Sequence, residues 1–246
     1  MRAALHDVVL LATLTFNLLG RSVAAVPPDD PRSPRLADRV GRRLLVRVAN
    51  DLRAASRLAC LGYAEQAAAL VAGLYEVALT VVHVGRDAGR ALTWIDHDNP
   101  VRGPWSAKRL TESVAAKVDP KAPEKTAERV YRYYTQLCMA KHANPIVEMQ
   151  HLKRIAPRVL EVSHGPDTSE RAERTAGFAL LHGVGLALVA QGFFVLDYVP
   201  LAGRPVLLKR RELLDAKRRQ LTGQAAARWP GPDPFPGKWV TFKPPK

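Results

Sequence analysis

The stretch AGFALLHGVGLALVAQGFFVL, residues 176–196, decides the fold of this 246-residue chain. It contains no charged side chain and is about as long as the ~20 residues that a helix needs to span a bilayer. Four glycines, His182 and Gln191 make it less apolar than a typical span, and the central helix of a compact bundle is also apolar on all sides. We therefore expect a buried helix in an all-α bundle, and a membrane span over 176–196 is the alternative.

The composition is sufficient for a folded core without disulfide bonds. The chain has the length of one domain with extensions, and 47% of its residues are hydrophobic. Its only cysteines, Cys60 and Cys138, lack the C-x-x-C spacing. The sequence therefore predicts neither a disulfide framework nor a zinc site, and a reducing cytoplasm is the expected compartment.

The chain is strongly basic. It has 37 Lys and Arg residues against 23 Asp and Glu residues, a formal net charge of +14. Such an excess favours polyanionic partners such as RNA, DNA or an acidic protein face. The basic residues are dispersed, except for short clusters at 42–43, 209–211 and 217–219. A surface that only keeps the protein soluble is therefore the alternative.

Hydrophobic periodicity and proline positions divide the chain into four parts. Val8, Leu11 and Leu18 recur at helical spacing near the N-terminus, which predicts an amphipathic helix that docks on the core. A cleaved export signal over residues 1–25 is the alternative. The expected organisation is an N-terminal helix (1–26), a Pro-rich linker (27–35), a helical bundle domain (36–227) and an extended C-terminal arm (228–246).

The same periodicity predicts the helices of the bundle domain. A helix N-cap is expected at Thr168 or Ser169, and strand-like alternation is limited to short pieces such as 205–208 and 238–240. The expected helices cover Leu36–Cys60, Tyr63–Val84, Ser106–Lys117, a segment from Pro123 to the region of His142, Ile146–Leu160, Glu170–Leu196 and Leu213–Ala227.

The helix predicted near His142 carries the group of side chains that most strongly suggests a functional site. This group lies in the stretch ERVYRYYTQLCMAKHANP, residues 128–145. At 3.6 residues per turn, Tyr134, Cys138 and His142 stack along one face. Pro145 makes a longer helix improbable. His142 is therefore expected at a helix end beside aromatic neighbours, where the Lys141-His142 pair meets a phosphate or caps the last carbonyls.

A second candidate position is Glu76. The stretch 67–84 is apolar except for four side chains, and Glu76, Thr80 and His83 fall on one helical face. This face is either the solvated side of an amphipathic helix or the site of a buried Glu76. A buried carboxylate needs a cationic or hydrogen-bonding partner, for which His142 and an arginine are the candidates.

These residues suggest a chemistry. Cleavage of RNA without a metal needs a base for the ribose 2′-hydroxyl, an acid for the leaving oxygen and a cation for the developing phosphorane charge. Tyrosines 131, 133 and 134 stack bases or fill a bundle core. The candidate catalytic residues are His142, Glu76 and Lys141, and the candidate phosphate or RNA contacts are Asn144, Tyr131, Arg132 and Arg86.

Markers of other site classes are absent from the sequence. Asp96-His97-Asp98 resembles a metal-binding group, but adjacent residues seldom converge on one ion and no second cluster at helical spacing joins it. The P-loop, dinucleotide-binding, hydrolase-elbow and zincin motifs do not occur. We therefore expect no metal and no cofactor.

Two stretches together, Leu61–Glu76 and Tyr131–His142, resemble the HEPN-like helical proteins of unknown function found in bacteria. The resemblance covers about half of the chain. It implies an up-and-down helical core in which Glu76 and His142 belong to the site. The wider superfamily includes metal-independent ribonucleases of toxin and phage-defence systems, which act as dimers with an R-x(4–6)-H motif, so the resemblance also implies a homodimer.

The sequence departs from the pattern of that superfamily in two places. Arg132 precedes His142 by ten residues, which on a straight helix is about 15 Å and a different face. Ala72 stands where such proteins often place an arginine, four residues before Glu76. An active site would then need Arg57, Arg86 or an arginine from a dimer mate. A catalytically silent bundle that binds RNA, a nucleotide or a protein partner is the close alternative.

Overall fold

The protein is an α-helical bundle. The computed structural model describes residues 3–28, 35–100, 102–142, 152–156, 159–162 and 165–229. Its helices are α1 (Ala3–Ala24), α2 (Leu36–Cys60), α3 (Ala64–Val84), α4 (Ala88–Ile95), α5 (Ala107–Val118), α6 (Pro123–Lys141), α7 (Glu170–Tyr198), a 3₁₀ turn (Leu201–Gly203), α8 (Arg204–Gly223) and the single turn α9 (Ala225–Arg228).

Helix α7 contains the uncharged stretch and is the central helix. It packs against α1, α2, α3 and α8. Leu180, Val184 and Leu188 are almost completely buried, and 72% of the most apolar window of α7 lies inside the protein. The structure thus places residues 176–196 in the core of the bundle, as the buried-helix interpretation predicts.

Within the described part of the chain, three helices are long and apolar enough to cross a membrane, judged by length and composition: α1, α3 and α7. Helices α3 and α7 pack against each other, so most of their apolar side chains lie in the core of the bundle. Helix α1 is buried on one face only: Val8, Leu11 and Leu18 are buried, while Leu10 is 49% exposed. It docks on α2, α7 and α8, as the helical spacing predicts.

Local signals set several helix starts. Ser169, rather than Thr168, is the N-cap of α7, and its side chain accepts a hydrogen bond from the Ala172 backbone N–H. Ser106 caps α5 in the same way. Asp87 caps α4, a short helix that the sequence analysis did not predict. Between α2 and α3 the chain turns at Gly62, whose φ of 87° is a left-handed conformation that favours glycine.

The predicted helix at Ile146–Leu160 is wrong over the residues of this segment that the structure describes, 152–156 and 159–160. The described residues in this region form an antiparallel hairpin of β1 (Leu152–Ala156) and β2 (Val159–Val162), in which Leu152 pairs with Val162. The physical reason is in the sequence, because a proline at position 157 cannot donate to a helical ladder and β-branched residues favour strands. The hairpin is a small addition to a helical protein.

The last long helix begins earlier than predicted. Helix α8 starts at Arg204, so residues 205–208 are its first turn rather than a strand, and Pro205 occupies a first-turn position that tolerates proline. Leu207, Leu214 and Leu221 form its buried stripe. The expected Leu213–Ala227 helix therefore corresponds to the second half of α8 and to α9.

Two glycines allow aromatic side chains to approach helix backbones closely. A Cβ atom at Gly41 of α2 would lie 2.6 Å from the Tyr198 ring, and a Cβ atom at Gly177 of α7 would lie 2.4 Å from the Trp229 ring. Tyr198 also donates a hydrogen bond from its hydroxyl to the Gly85 carbonyl. The glycines of α7 that lower its hydrophobicity thus serve helix packing in this bundle.

We predict that Gly41→Ala and Gly177→Ala each lower the free energy of unfolding by about 1–3 kcal/mol, because the added methyl group meets a rigid ring. Gly73→Ala is the matched control, since nothing lies within 4 Å of a Cβ atom at this helical position. It should be neutral or stabilising by up to about 1 kcal/mol. Urea unfolding followed by circular dichroism measures all three, and equal values for Gly41→Ala and Gly73→Ala would contradict the packing argument.

Candidate functional site

The candidate site lies where α6 packs on α3. The carboxylate of Glu76 accepts a hydrogen bond of 2.7 Å from the Tyr134 hydroxyl. The same Oε1 atom accepts a hydrogen bond of 2.8 Å from the Lys141 ammonium group. Glu76 and Lys141, which were predicted to share a site, are therefore in direct contact.

Aromatic packing beneath Glu76 holds the two helices together. The rings of Tyr75 and Tyr134 stack with centroids 4.6 Å apart, and Tyr131 lies 5.7 Å from Tyr134. The Tyr75 hydroxyl is 2.5 Å from the Thr111 hydroxyl on α5, so this tyrosine joins a third helix to the pair. Tyr134 and Tyr131 thus serve mainly in packing, which is one of the two interpretations that the sequence left open.

Burial keeps the neutral groups of this cluster protonated. It is the main cause that raises the pKa of Tyr75 and of Tyr134, and the Tyr134 pKa is raised further by hydrogen bonds with Cys138 and Glu76. Burial also raises the pKa of the Cys138 thiol. The tyrosines therefore remain hydrogen-bond donors at neutral pH, and Cys138 is not an activated thiolate.

His142 does not pair with Glu76. It is the exposed C-cap residue of α6, and its backbone N–H donates to the Cys138 carbonyl at 3.0 Å. Its ring makes no hydrogen bond or ion pair with any residue that the structure describes. The expectation that His142 or an arginine is the partner of Glu76 is therefore wrong, since Tyr134 and Lys141 take that role.

The other candidate contacts are scattered. Arg132 pairs with Glu128 at 3.3 Å on the exposed side of α6. Arg86 donates to the Asp197 carbonyl beyond the end of α3, and Arg57 lines a groove between α1 and α2. Asn144 lies outside the described residues. In the described part of the chain, none of these three arginines joins the Glu76 cluster.

The polar face of α3 is not solvated below Glu76. Thr80 and His83 are buried, and the Thr80 hydroxyl donates to the Glu76 carbonyl at 2.7 Å. The His83 Nδ1 atom lies 2.8 Å from the Ser113 hydroxyl on α5, and its ring meets Trp105 edge-on at 4.7 Å. Burial, assisted by the nearby Arg90 and Lys117 cations, lowers the pKa of His83 to about 4.

His182 of α7 is a site neighbour to which the sequence analysis assigned no role. Its ring stacks on Tyr133 at 4.8 Å and lies 6.4 Å from the Tyr75 ring. Burial lowers the pKa of His182 to about 4, so the imidazole is neutral at physiological pH. Tyr133 covers it and is itself 47% exposed. The available signal was a single histidine within the uncharged stretch 176–196.

The site is an open surface rather than a cleft. The side chains of Lys141 and Glu76 are 35% and 39% exposed. Two cavities of about 250 and 580 Å³ are lined by other residues. The described residues contain no group of three or more His, Cys, Asp and Glu side chains placed to hold a metal ion. Comparisons with protein-family models, with curated proteins and with solved structures find no match to this chain.

The role of Tyr134 can be divided by two substitutions. Tyr134→Phe removes the hydroxyl group with its hydrogen bonds to Glu76 and Cys138 but keeps the ring, and it should cost about 0.5–1.5 kcal/mol of unfolding free energy. Tyr134→Ala also removes the ring from the stack on Tyr75 and should cost about 3–5 kcal/mol. Chemical denaturation measures both values. If the two variants were equally stable, the stack would contribute nothing.

The buried histidines predict how stability depends on pH. The folded-state pKa values of His83 and His182 lie near 4, below the ordinary value of 6.5, so the unfolded chain takes up protons first as the pH falls. Their contribution to stability is complete above pH 6.5 and is lost as the pH falls toward 4. Denaturation midpoints measured between pH 7 and pH 4 should decline, and the decline should be shallower in His83→Gln. His6→Gln is the control, because the side chain of His6 is 62% exposed.

Proposed function

We propose that this protein is a helical RNA-binding module whose contact surface is the exposed side and the C-terminal end of α6. The observation that carries the proposal is the position of Tyr133. One face of its ring stacks on the neutral imidazole of His182, and nearly half of the side chain remains exposed. A rigidly supported, exposed aromatic ring is a platform for stacking a base of a single strand, and such stacking tolerates any nucleotide sequence.

Cations on the same helix suit the phosphate backbone. Among the described residues, Arg132 pairs with Glu128 in an exposed ion pair, which contributes little to stability and is readily exchanged for a phosphate. At the end of α6, the 35% exposed Lys141 ammonium group gives one hydrogen bond to Glu76, and the exposed His142 follows it. The net charge of +14 adds long-range attraction for a polyanion.

A metal-independent endoribonuclease of the toxin or phage-defence type is the second candidate. The contact of Glu76 with Lys141 supports it, because it joins a carboxylate to the cation that directly precedes His142 in the chain. The resemblance to HEPN-like proteins agrees with both candidates. A homodimer and a cytoplasmic location belong to the same proposal. We place binding first because the site is open and no arginine joins it within the described residues.

Fluorescence anisotropy with a labelled single-stranded RNA, in EDTA and at several salt concentrations, tests the binding proposal. We expect wild-type affinity to fall as salt rises. Tyr133→Ala should weaken binding by about tenfold, because base stacking contributes roughly 1–3 kcal/mol. Tyr133→Phe keeps the ring and should bind like wild type. Lys141→Ala should weaken binding and reduce the salt dependence.

Lys217→Ala is the matched control, since it removes one exposed cation from α8 rather than from α6. If Tyr133→Ala and Lys141→Ala bound RNA as tightly as wild type and as the two controls, α6 would not be the RNA surface. The same samples run on a denaturing gel test the second candidate. Cleavage in EDTA that is lost in His142→Ala would establish a metal-independent nuclease, whereas intact RNA leaves the protein a binding module.

A further inference from the structure

A groove of about 580 Å³ runs between α1 and α2, on different helices from the proposed RNA surface. Val9, Ala12 and Phe16 of α1 contribute apolar lining on one side. Leu61 follows the last residue of α2, is 61% exposed and extends this apolar lining at the other side of the groove. The volume is within the range of about 300–1,000 Å³ that small-molecule sites occupy.

The charge in this groove has one sign. Arg53 and Arg57, one turn apart on α2, are the charged residues among its described lining. The Arg53 guanidinium lies over the Phe16 ring, 5.3 Å from its centroid. Across the described ranges, neither arginine makes a hydrogen bond or an ion pair with another side chain. Two guanidinium groups are thus available to an anion at the wall of an apolar groove.

The lining hydroxyl groups are already satisfied. Thr13 donates to the Val9 carbonyl at 2.9 Å, and Ser56 donates to the Leu52 carbonyl at 2.8 Å, each within its own helix. Asn17 adds one side-chain amide to the lining. A ligand with a polar body would therefore lose more hydrogen bonds to water than these groups replace. The groove matches a ligand that is apolar along its length and anionic at one end.

We propose that the groove between α1 and α2 binds a free single-chain amphiphile with an anionic head, such as a long-chain carboxylate. The apolar chain lies along Val9, Ala12 and Phe16, and the head receives charge-assisted hydrogen bonds from Arg53 and Arg57. Nucleic acid is a poor fit, because this apolar lining offers its bases few polar partners. The site is independent of the RNA surface on α6.

Isothermal titration of the purified full chain with dodecanoate, below its micelle concentration, tests the proposal. We expect the double variant Arg53→Gln/Arg57→Gln to bind at least about tenfold more weakly, since it loses two charged donors. Thr13→Trp places a large ring in the groove from an exposed position and should abolish binding. Arg43→Gln, which removes an exposed charge from α2 outside the groove, should bind like wild type. Circular dichroism checks that each variant is folded.

Two further probes decide whether the site is the one proposed. Dodecanol has the same chain without the charge, and binding at least about tenfold weaker than that of dodecanoate supports recognition of the head. Equal binding of the two compounds would overturn it. Binding to anionic phospholipid vesicles without binding to free dodecanoate would also overturn it, since a membrane surface would then be the partner. Dodecanoate binding that is unchanged in the double arginine variant and in Thr13→Trp would also overturn the proposed site.

Discussion

The burial of an uncharged helix is the constraint on which the rest of this bundle depends. Helix α7 has no charged residue from 176 to 196, so exposing any of its faces to water would cost free energy roughly in proportion to apolar area. The fold removes that cost by surrounding α7 with α1, α2, α3 and α8. Close approach on these faces needs small residues, and Gly177 and Gly183 let a tryptophan ring and a valine approach the helix axis.

A helix buried in this way leaves polar groups that must find partners inside the protein. Gln191 of α7 donates to the Ser22 hydroxyl of α1 at 2.9 Å, and both side chains are fully buried.

At the C-terminal end of α3, Lys117 and Arg90 donate to the last carbonyls, those of Val82 and His83, each at 2.6 Å. These cations satisfy acceptors that have no partner within the helix, and burial lowers the pKa of Lys117.

The candidate site follows from the same packing. Since α3 is held against α7 on one side, α5 and α6 cover another side of α3, and its polar residues enter that interface. Thr80 and His83 are sealed within it. Glu76 lies near its edge, where it keeps solvent contact and receives Tyr134 and Lys141. The edge of this interface thus presents a paired carboxylate and ammonium group to solvent on two packed helices.

The sequence by itself determined the helical class, the extent of α1, α2 and α3 to within a residue or two, and the end of α6 before His142, because periodicity, caps and prolines act locally. It also singled out Glu76 and Lys141, whose side chains are in contact in the structure. It failed at residues 152–156 and 159–162, where a helix was predicted and the structure has two paired strands. Only the tertiary structure decided that Glu76 pairs with Tyr134 and Lys141, 58 and 65 positions away, that His83 is buried, and that Tyr133 rests on His182. Such partnerships depend on which faces of distant helices meet, and a single sequence does not specify that choice through its local pattern.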